Sequence, residues 1–208
     1  MRQMIAFSGG CHSGKTTLMR AVADRLRDMG KDVLVFKENA HNYLEKGGID
    51  ELRANPSKYL DFQEVVVNER INFEKQWLNN QIASDDQVVL VDRPISDSLA
   101  YIFMYINVDS LSGEDKRRYR DLVFSIRKHI ISFWRRTNKL TIFSLEPLAH
   151  TCPDSETEYR PKGINSVKYA EYEVTKSLLQ MYPGSVKLFM LTHEGSIDQN
   201  IDEIIALL

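Results

Sequence analysis

Five short segments concentrate Val, Ile, Leu and Phe at successive positions: Met4 to Ser8, Val33 to Phe36, Val88 to Val91, Leu140 to Leu145 and Val186 to Leu191. Continuous apolar runs of this length predict strands buried on both faces. Helical periodicity fills the intervals. Leu18, Val22, Leu26 and Met29 recur every three or four residues, and Gly30 follows as a stop, so one amphipathic helix is predicted after the first strand. A longer helix is predicted over Pro56 to Ile82, carrying Phe62, Val66, Ile71, Phe73, Trp77 and Leu78. Others are expected from about Ser96 to Val108, from about Lys116 to Arg136 beyond a break at Ser112-Gly113-Glu114, over Thr175 to Tyr182, and over Asp198 to Leu208. Strands alternating with helices predict a doubly wound α/β fold, an about five-stranded parallel sheet with helices on both faces. His150 to Asn165 holds two prolines, a glycine and many charges, and reads as a lid loop of about 150–165. With no repeat, low-complexity tract or linker, residues 1–208 are expected to form a single domain.

Composition narrows the class. The 208 residues suit one core, and 43% hydrophobic with 27% charged residues excludes disorder and collagen-like order. No apolar run reaches the roughly 18 residues of a membrane span, so a soluble chain without a cleaved signal is expected. Lys and Arg number 27 against 29 Asp and Glu, a net of -2, so a polyanion meets no global positive field. The two cysteines, Cys11 and Cys152, belong to no Cys-x-x-Cys or Cys/His cluster, which argues against a zinc site or disulfide framework and favours a reducing, cytoplasmic setting.

Gly9-Gly10-Cys11-His12-Ser13-Gly14-Lys15-Thr16, followed by Thr17, matches G-x-x-x-x-G-K-[ST] between a predicted strand and a predicted helix. Glycines let such a loop curl so that backbone N–H groups converge on a phosphate, and the helix adds the positive end of its dipole. Lys15 is then expected to bridge the terminal phosphates of ATP, and the Thr16 hydroxyl to hold Mg²⁺. The motif alone leaves kinase, GTPase and motor open. Val88-Val89-Leu90-Val91-Asp92 is a buried strand ending in a carboxylate, the way a second Mg²⁺-side acid is presented. Arg93 follows at once, either to stabilise the transferring phosphoryl group or to pair at the surface.

Several segments together resemble the deoxynucleoside kinase and thymidylate kinase group of P-loop kinases. Lys37-Glu38-Asn39 looks like the strand-end Glu segment of that group. Phe62-Gln63 with Arg70 resembles a helix in which Gln and Arg stand seven residues apart, and Asp92-Arg93-Pro94-Ile95-Ser96-Asp97 with Ala100-Tyr101 is similar to the acid-Arg segment. The order of features also resembles the family of small ATPase-kinases that includes nicotinamide riboside kinase domains. The likeness covers the first half of the chain well and the second half in outline. Pro94 stands where nucleoside kinases have serine, and the lid offers Arg160 and Lys162 among acids rather than an arginine-rich run.

The resemblance implies that Glu38 is the general base for a hydroxyl acceptor, with Gln63, Arg70 and Asp97 in the acceptor site. A primary amide such as Gln63 pairs with a base edge or simply faces solvent; Arg70 holds the acceptor or pairs with Asp97 or Glu74. Arg160 closes over the phosphates or is a solvated loop residue. His12 contributes backbone rather than acid–base chemistry, and His41 and His150 read as surface residues. Lys116 to Lys139 collects nine of the 27 Lys and Arg residues, a solvated face or, with Tyr119, Phe124, Phe133 and Trp134, a surface for a phosphorylated acceptor or single-stranded nucleic acid. The expected function is ATP- and Mg²⁺-dependent phosphoryl transfer to a nucleoside-like acceptor, foremost a deoxynucleoside 5′-hydroxyl. Nucleoside monophosphate kinase, nicotinamide riboside kinase, a kinase of hydroxyls within DNA and a P-loop ATPase switch are the alternatives. The expected partner is a nucleoside or nucleotide, with nucleic acid less favoured, no membrane, and a homodimer allowed.

Overall fold

The structure is a computed structural model and describes residues 3–10, 13–37, 48–79, 81–82, 87–137, 140–147, 165–181, 187–191 and 196–207, with side chains from Ala170 onward in 165–181. Its elements in chain order are β1 (Gln3–Ser8), α1 (Lys15–Asp28), β2 (Val33–Phe36), α2 (Gly48–Arg53), α3 (Pro56–Leu78), β3 (Val88–Asp92) and α4 (Ile95–Tyr105). A 3₁₀ turn over Val108–Ser110 leads to α5 (Gly113–Arg136), β4 (Leu140–Leu145), α6 (Asn165–Met181), β5 (Lys187–Leu191) and α7 (Ile197–Ala206).

The five strands form one parallel sheet in the order β2-β3-β1-β4-β5, the doubly wound fold expected from the apolar runs. Side chains alternate along each strand, so both faces need cover. Met4, Ala6, Val89, Val91, Leu140 and Ile142 meet α3, α4, α5 and α6 on one side. Ile5, Phe7, Leu90, Phe143 and Leu145 meet α1 and α7 on the other. This two-sided burial is why the strands read as unbroken hydrophobic runs.

Local chemistry moves several predicted boundaries. Asn55 caps α3 by accepting from Lys58 N, with Pro56 in the first turn, and the helix stops at Leu78 rather than Ile82. The expected break at Ser112-Gly113-Glu114 is the start of α5: the Ser112 side chain accepts from Asp115 N, so the helix runs from Gly113 and not Lys116. Helix α4 ends at Tyr105, before Val108, where the chain tightens into the 3₁₀ turn. Helix α6 begins at Asn165 rather than Thr175. Short α2 was not anticipated, because six residues carry too little periodicity to register. The expected lid, apart from Asn165, lies outside the described residues. No helix among the described residues is long and apolar enough to cross a membrane.

Candidate active site

The phosphate loop leaves β1, the central strand, whose residues Met4 to Phe7 have no exposed surface. At Gly9 the backbone takes φ 137°, and a Cβ there would stand 2.6 Å from the Leu145 carbonyl oxygen and 3.1 Å from Ser13 Oγ. Only glycine lets the loop pass this close to the end of β4. Gly14 takes the left-handed conformation at φ 77° and caps α1 without a side chain, leaving the first-turn amides of that helix open to an anion. Lys15 is buried, and its Nζ donates to the Gly10 carbonyl at 2.6 Å and to Ser13 Oγ at 3.2 Å, so the ammonium is held inside the loop. Cys11 and His12 lie outside the described residues. Thr17 follows Thr16 in the first turn of α1.

Register brings the acid to this loop. Phe7 of β1 pairs with Asp92 of β3, so Asp92 emerges beside the start of the loop, and Thr16 Oγ1 donates to Asp92 Oδ2 at 3.2 Å. A hydroxyl and a carboxylate oxygen in contact are a hard oxygen donor set that fits Mg²⁺, and the glycine-lined loop fits a phosphate.

Arg93 is turned inward. It has φ 67°, left-handed for a residue with a side chain; its backbone N–H donates to Phe7 O at 3.0 Å and its Nη1 to Gly9 O at 3.1 Å. The same Nη1 donates to the Tyr101 hydroxyl, and the guanidinium lies over the Tyr101 ring at 4.8 Å. Asp97 has no exposed surface; it accepts from Ser8 Oγ at 2.7 Å and from Gly9 N at 3.4 Å, with Arg93 Nη1 at 3.9 Å. Burial pushes its carboxyl up to about 6, against the opposing pull of Arg93, Ser8, Lys15 and Gly9. Asp97, expected in the acceptor site, has its oxygens engaged by Ser8 and Gly9 beneath the phosphate loop.

A cleft opens beside Asp92, lined by Phe36, Val66, Glu69, Arg70, Arg93, Pro94 and Ser98. It lies at the carboxyl ends of β2 and β3, where open α/β sheets take their ligands. Gln63 and Arg70 sit on the buried face of α3, seven residues and almost two turns apart. Of the two carboxylates weighed for Arg70, the structure pairs it with Glu74, Nε to Oε1 at 2.6 Å. Glu38 and Arg160 lie outside the described residues; β2 ends at Phe36, in the cleft wall, two positions before Glu38.

Two groups of buried polar residues were missed from sequence. Glu171 on α6 accepts from Arg53 of α2 at 3.3 Å, from Tyr101 at 3.4 Å and from Tyr105, both on α4, and so joins three helices behind Arg93. Glu74 also meets His129 of α5. Neither group has a linear spacing, since each spans helices far apart in the chain. On α5, Arg117, Arg120, Arg127, Lys128, Arg135 and Arg136 are exposed, as a solvated face requires.

The parallel sheet, the glycine loop with its buried lysine, and the threonine–aspartate pair define a P-loop nucleoside-triphosphate-binding domain of the kinase-like α/β type. Residues 4–161 match the AAA domain family, and the chain belongs to that family. No curated protein matches it. Among solved structures it is similar to NadR protein in complex with NR, at 18% identity and TM-score 0.65, covering 99% of this chain and 51% of that one. It is similar also to NadR protein in complex with NAD and AMP-PNP, at 16% identity and TM-score 0.64, covering 99% and 49%. A third similar structure is thymidylate kinase from Ehrlichia chaffeensis, at 15% identity and TM-score 0.53, covering 99% and 98%. The chain thus spans about half the length of the NadR chains it resembles.

Proposed function

We propose that the protein is an ATP- and Mg²⁺-dependent kinase whose acceptor is nucleoside-like, foremost a deoxynucleoside 5′-hydroxyl. One observation supports the reading: the Lys15 loop and the Thr16–Asp92 pair adjoin a cleft lined by Arg70, Arg93 and Phe36, so a phosphate-binding loop opens beside a cationic and aromatic wall. Bound ATP·Mg²⁺ supplies the γ-phosphoryl group. The residues in the roles of donor binding are Gly9 to Thr17, with Lys15 on the terminal phosphates and Thr16 and Asp92 as oxygen ligands of the metal. Arg93, through its hold on Gly9, keeps the loop in shape and presents positive charge beside Asp92. Arg160, from the lid segment, adds the last cation.

In the transfer the acceptor oxygen forms a bond to the γ-phosphorus as the bond to the β-bridging oxygen breaks, ADP leaves, and the acceptor proton passes to the Glu38 carboxylate. Gln63 and Arg70 orient the acceptor from α3. Glu38→Gln keeps shape but removes the base, so turnover on a hydroxyl acceptor should fall by about 10²-fold with ATP binding intact. An unchanged rate would point to a phosphate acceptor instead. Two arginines in one cleft wall favour that second reading, a nucleoside monophosphate kinase, as the runner-up. The deciding experiment incubates the protein with ATP, Mg²⁺ and a panel of deoxynucleosides, nucleoside monophosphates, nicotinamide riboside and oligonucleotides, and reads by mass spectrometry which gains a phosphate. ATP hydrolysis with no phosphorylated panel member would replace the kinase with an ATPase switch.

A further inference from the structure

Arg70 is buried, 5% exposed, in the wall of the cleft, yet its Nη1 has no hydrogen-bond partner among the described residues. An unsatisfied buried donor costs about 1–3 kcal/mol, so its orientation must be held by other contacts. What holds the guanidinium in that orientation lies behind it. Arg70 Nε donates to Glu74 Oε1 at 2.6 Å, and the other carboxylate oxygen, Oε2, stands 2.7 Å from His129 Nε2 on α5. Glu74 and His129 are themselves nearly closed to solvent, with 3% and 9% of their side chains exposed. A carboxylate only accepts, so His129 Nε2 carries the hydrogen. Burial alone would raise the Glu74 carboxyl, but Arg70 and His129 together hold it below the ordinary range, so it stays ionised.

Two aromatic rings pack against the same group from one side. The guanidinium carbon lies 5.1 Å from the Phe36 ring centre and 5.9 Å from that of Phe73, and these two rings stack at 3.9 Å. The His129 ring stacks on Phe133 at 5.5 Å. Arg70 is therefore held at Nε and packed on one side by the two rings, and its Nη1 meets no acceptor among the described residues.

We infer that Glu74 and His129 are positioning residues: the His129–Glu74 pair locks Arg70 through Nε and so fixes its guanidinium in the wall of the acceptor cleft. The inference rests on the reading of that cleft as the acceptor site. A carboxylate bound to Arg70 alone would leave the Oε2 side open to rotation, and His129 fixes that second oxygen from a different helix.

The test separates the hydrogen bond from the packing. His129→Phe keeps a ring against Phe133 and removes the donor to Glu74; His129→Gln keeps an N–H where Nε2 stands. Each is assayed with thymidine, deoxycytidine, deoxyadenosine and deoxyguanosine as acceptors, and the ¹⁵Nε–H resonance of Arg70, assigned by its loss in Arg70→Lys, is followed in all variants. The expected result is that His129→Phe raises the acceptor KM about tenfold, leaves the KM for ATP unchanged, and shifts the Arg70 Nε–H signal and speeds its exchange. His129→Gln restores both. The inference is overturned if His129→Phe leaves acceptor KM and the Arg70 signal as in the parent, or if His129→Gln is as impaired as His129→Phe. If none of the four deoxynucleosides is phosphorylated, the deoxynucleoside reading of the cleft fails, and the Arg70 signal alone decides on the positioning role.

Discussion

At the scale of single residues, the phosphate loop is held by contacts that make sharp predictions. Gly9→Ala combines an unfavourable φ with a Cβ pressed on the Leu145 carbonyl, so the loop must shift and ATP binding should be lost. Lys15→Ala should abolish transfer while the thermal unfolding curve stays close to the parent, because the Nζ bonds to Gly10 O and Ser13 Oγ lie within the loop. Near-normal turnover would remove the donor-site assignment. Asp97 gives a pH signature. Its carboxyl titrates near 3.8 in the unfolded chain and is pushed up to about 6 in the folded one. Between these values the folded chain keeps a proton that the unfolded chain has released, so the contribution is fully present below about pH 4 and is lost as pH rises through about 6. Relative to Asp97→Asn, which cannot ionise, the parent should lose up to about 3 kcal/mol of stability over that range, read from urea midpoints. Parallel pH profiles would refute it.

Elements are joined by a different set of charges. Arg118 of α5 reaches back to Asp61 and Glu64 of α3 at 2.5 and 2.6 Å, and to Asp115 at 2.9 Å. The cluster is about one-third exposed on the arginine side, so solvent screens it, and Arg118→Ala should cost about 1 kcal/mol rather than the several of a buried pair. Arg117, one residue away and exposed, should cost nothing measurable. Neutralising the exposed cations Arg117, Arg120, Arg135 and Arg136 together should leave turnover on a free nucleoside unchanged at any salt. A steep salt dependence on an oligonucleotide, made shallower in that variant, would instead assign α5 to a strand.

For the molecule as a whole, a donor site that exists only in the folded state couples nucleotide binding to stability. ATP at about 100 times its Kd should add about 2.7 kcal/mol, seen as a rise in Tm with Mg²⁺ that shrinks when EDTA removes the metal and is absent in Lys15→Ala. A Tm indifferent to ATP·Mg²⁺ would leave the loop without its ligand. The crossing of β3 between β2 and β1 makes this coupling local: it sets Asp92 beside the loop, and the cleft wall of Phe36, Arg70 and Arg93 beside Asp92.

Reading the chain alone determined the strands, the phosphate loop, the acid at the end of β3 and the α/β class, because each is written in adjacent residues. Burial on both faces makes an unbroken apolar run, and a phosphate cradle needs glycines, Lys15 and Thr16 at fixed short spacing. The tertiary structure alone decided which charges meet. Asp97 of α4 met Ser8 and Gly9 at the end of β1; Arg70 chose Glu74 over Asp97; Glu171 met Arg53, Tyr101 and Tyr105; and Glu74 met His129. Apart from Arg70 and Glu74, which stand one helical turn apart on α3, these pairs join residues 55 to 118 positions apart, where no periodicity reports them and only tertiary packing brings them within hydrogen-bond reach.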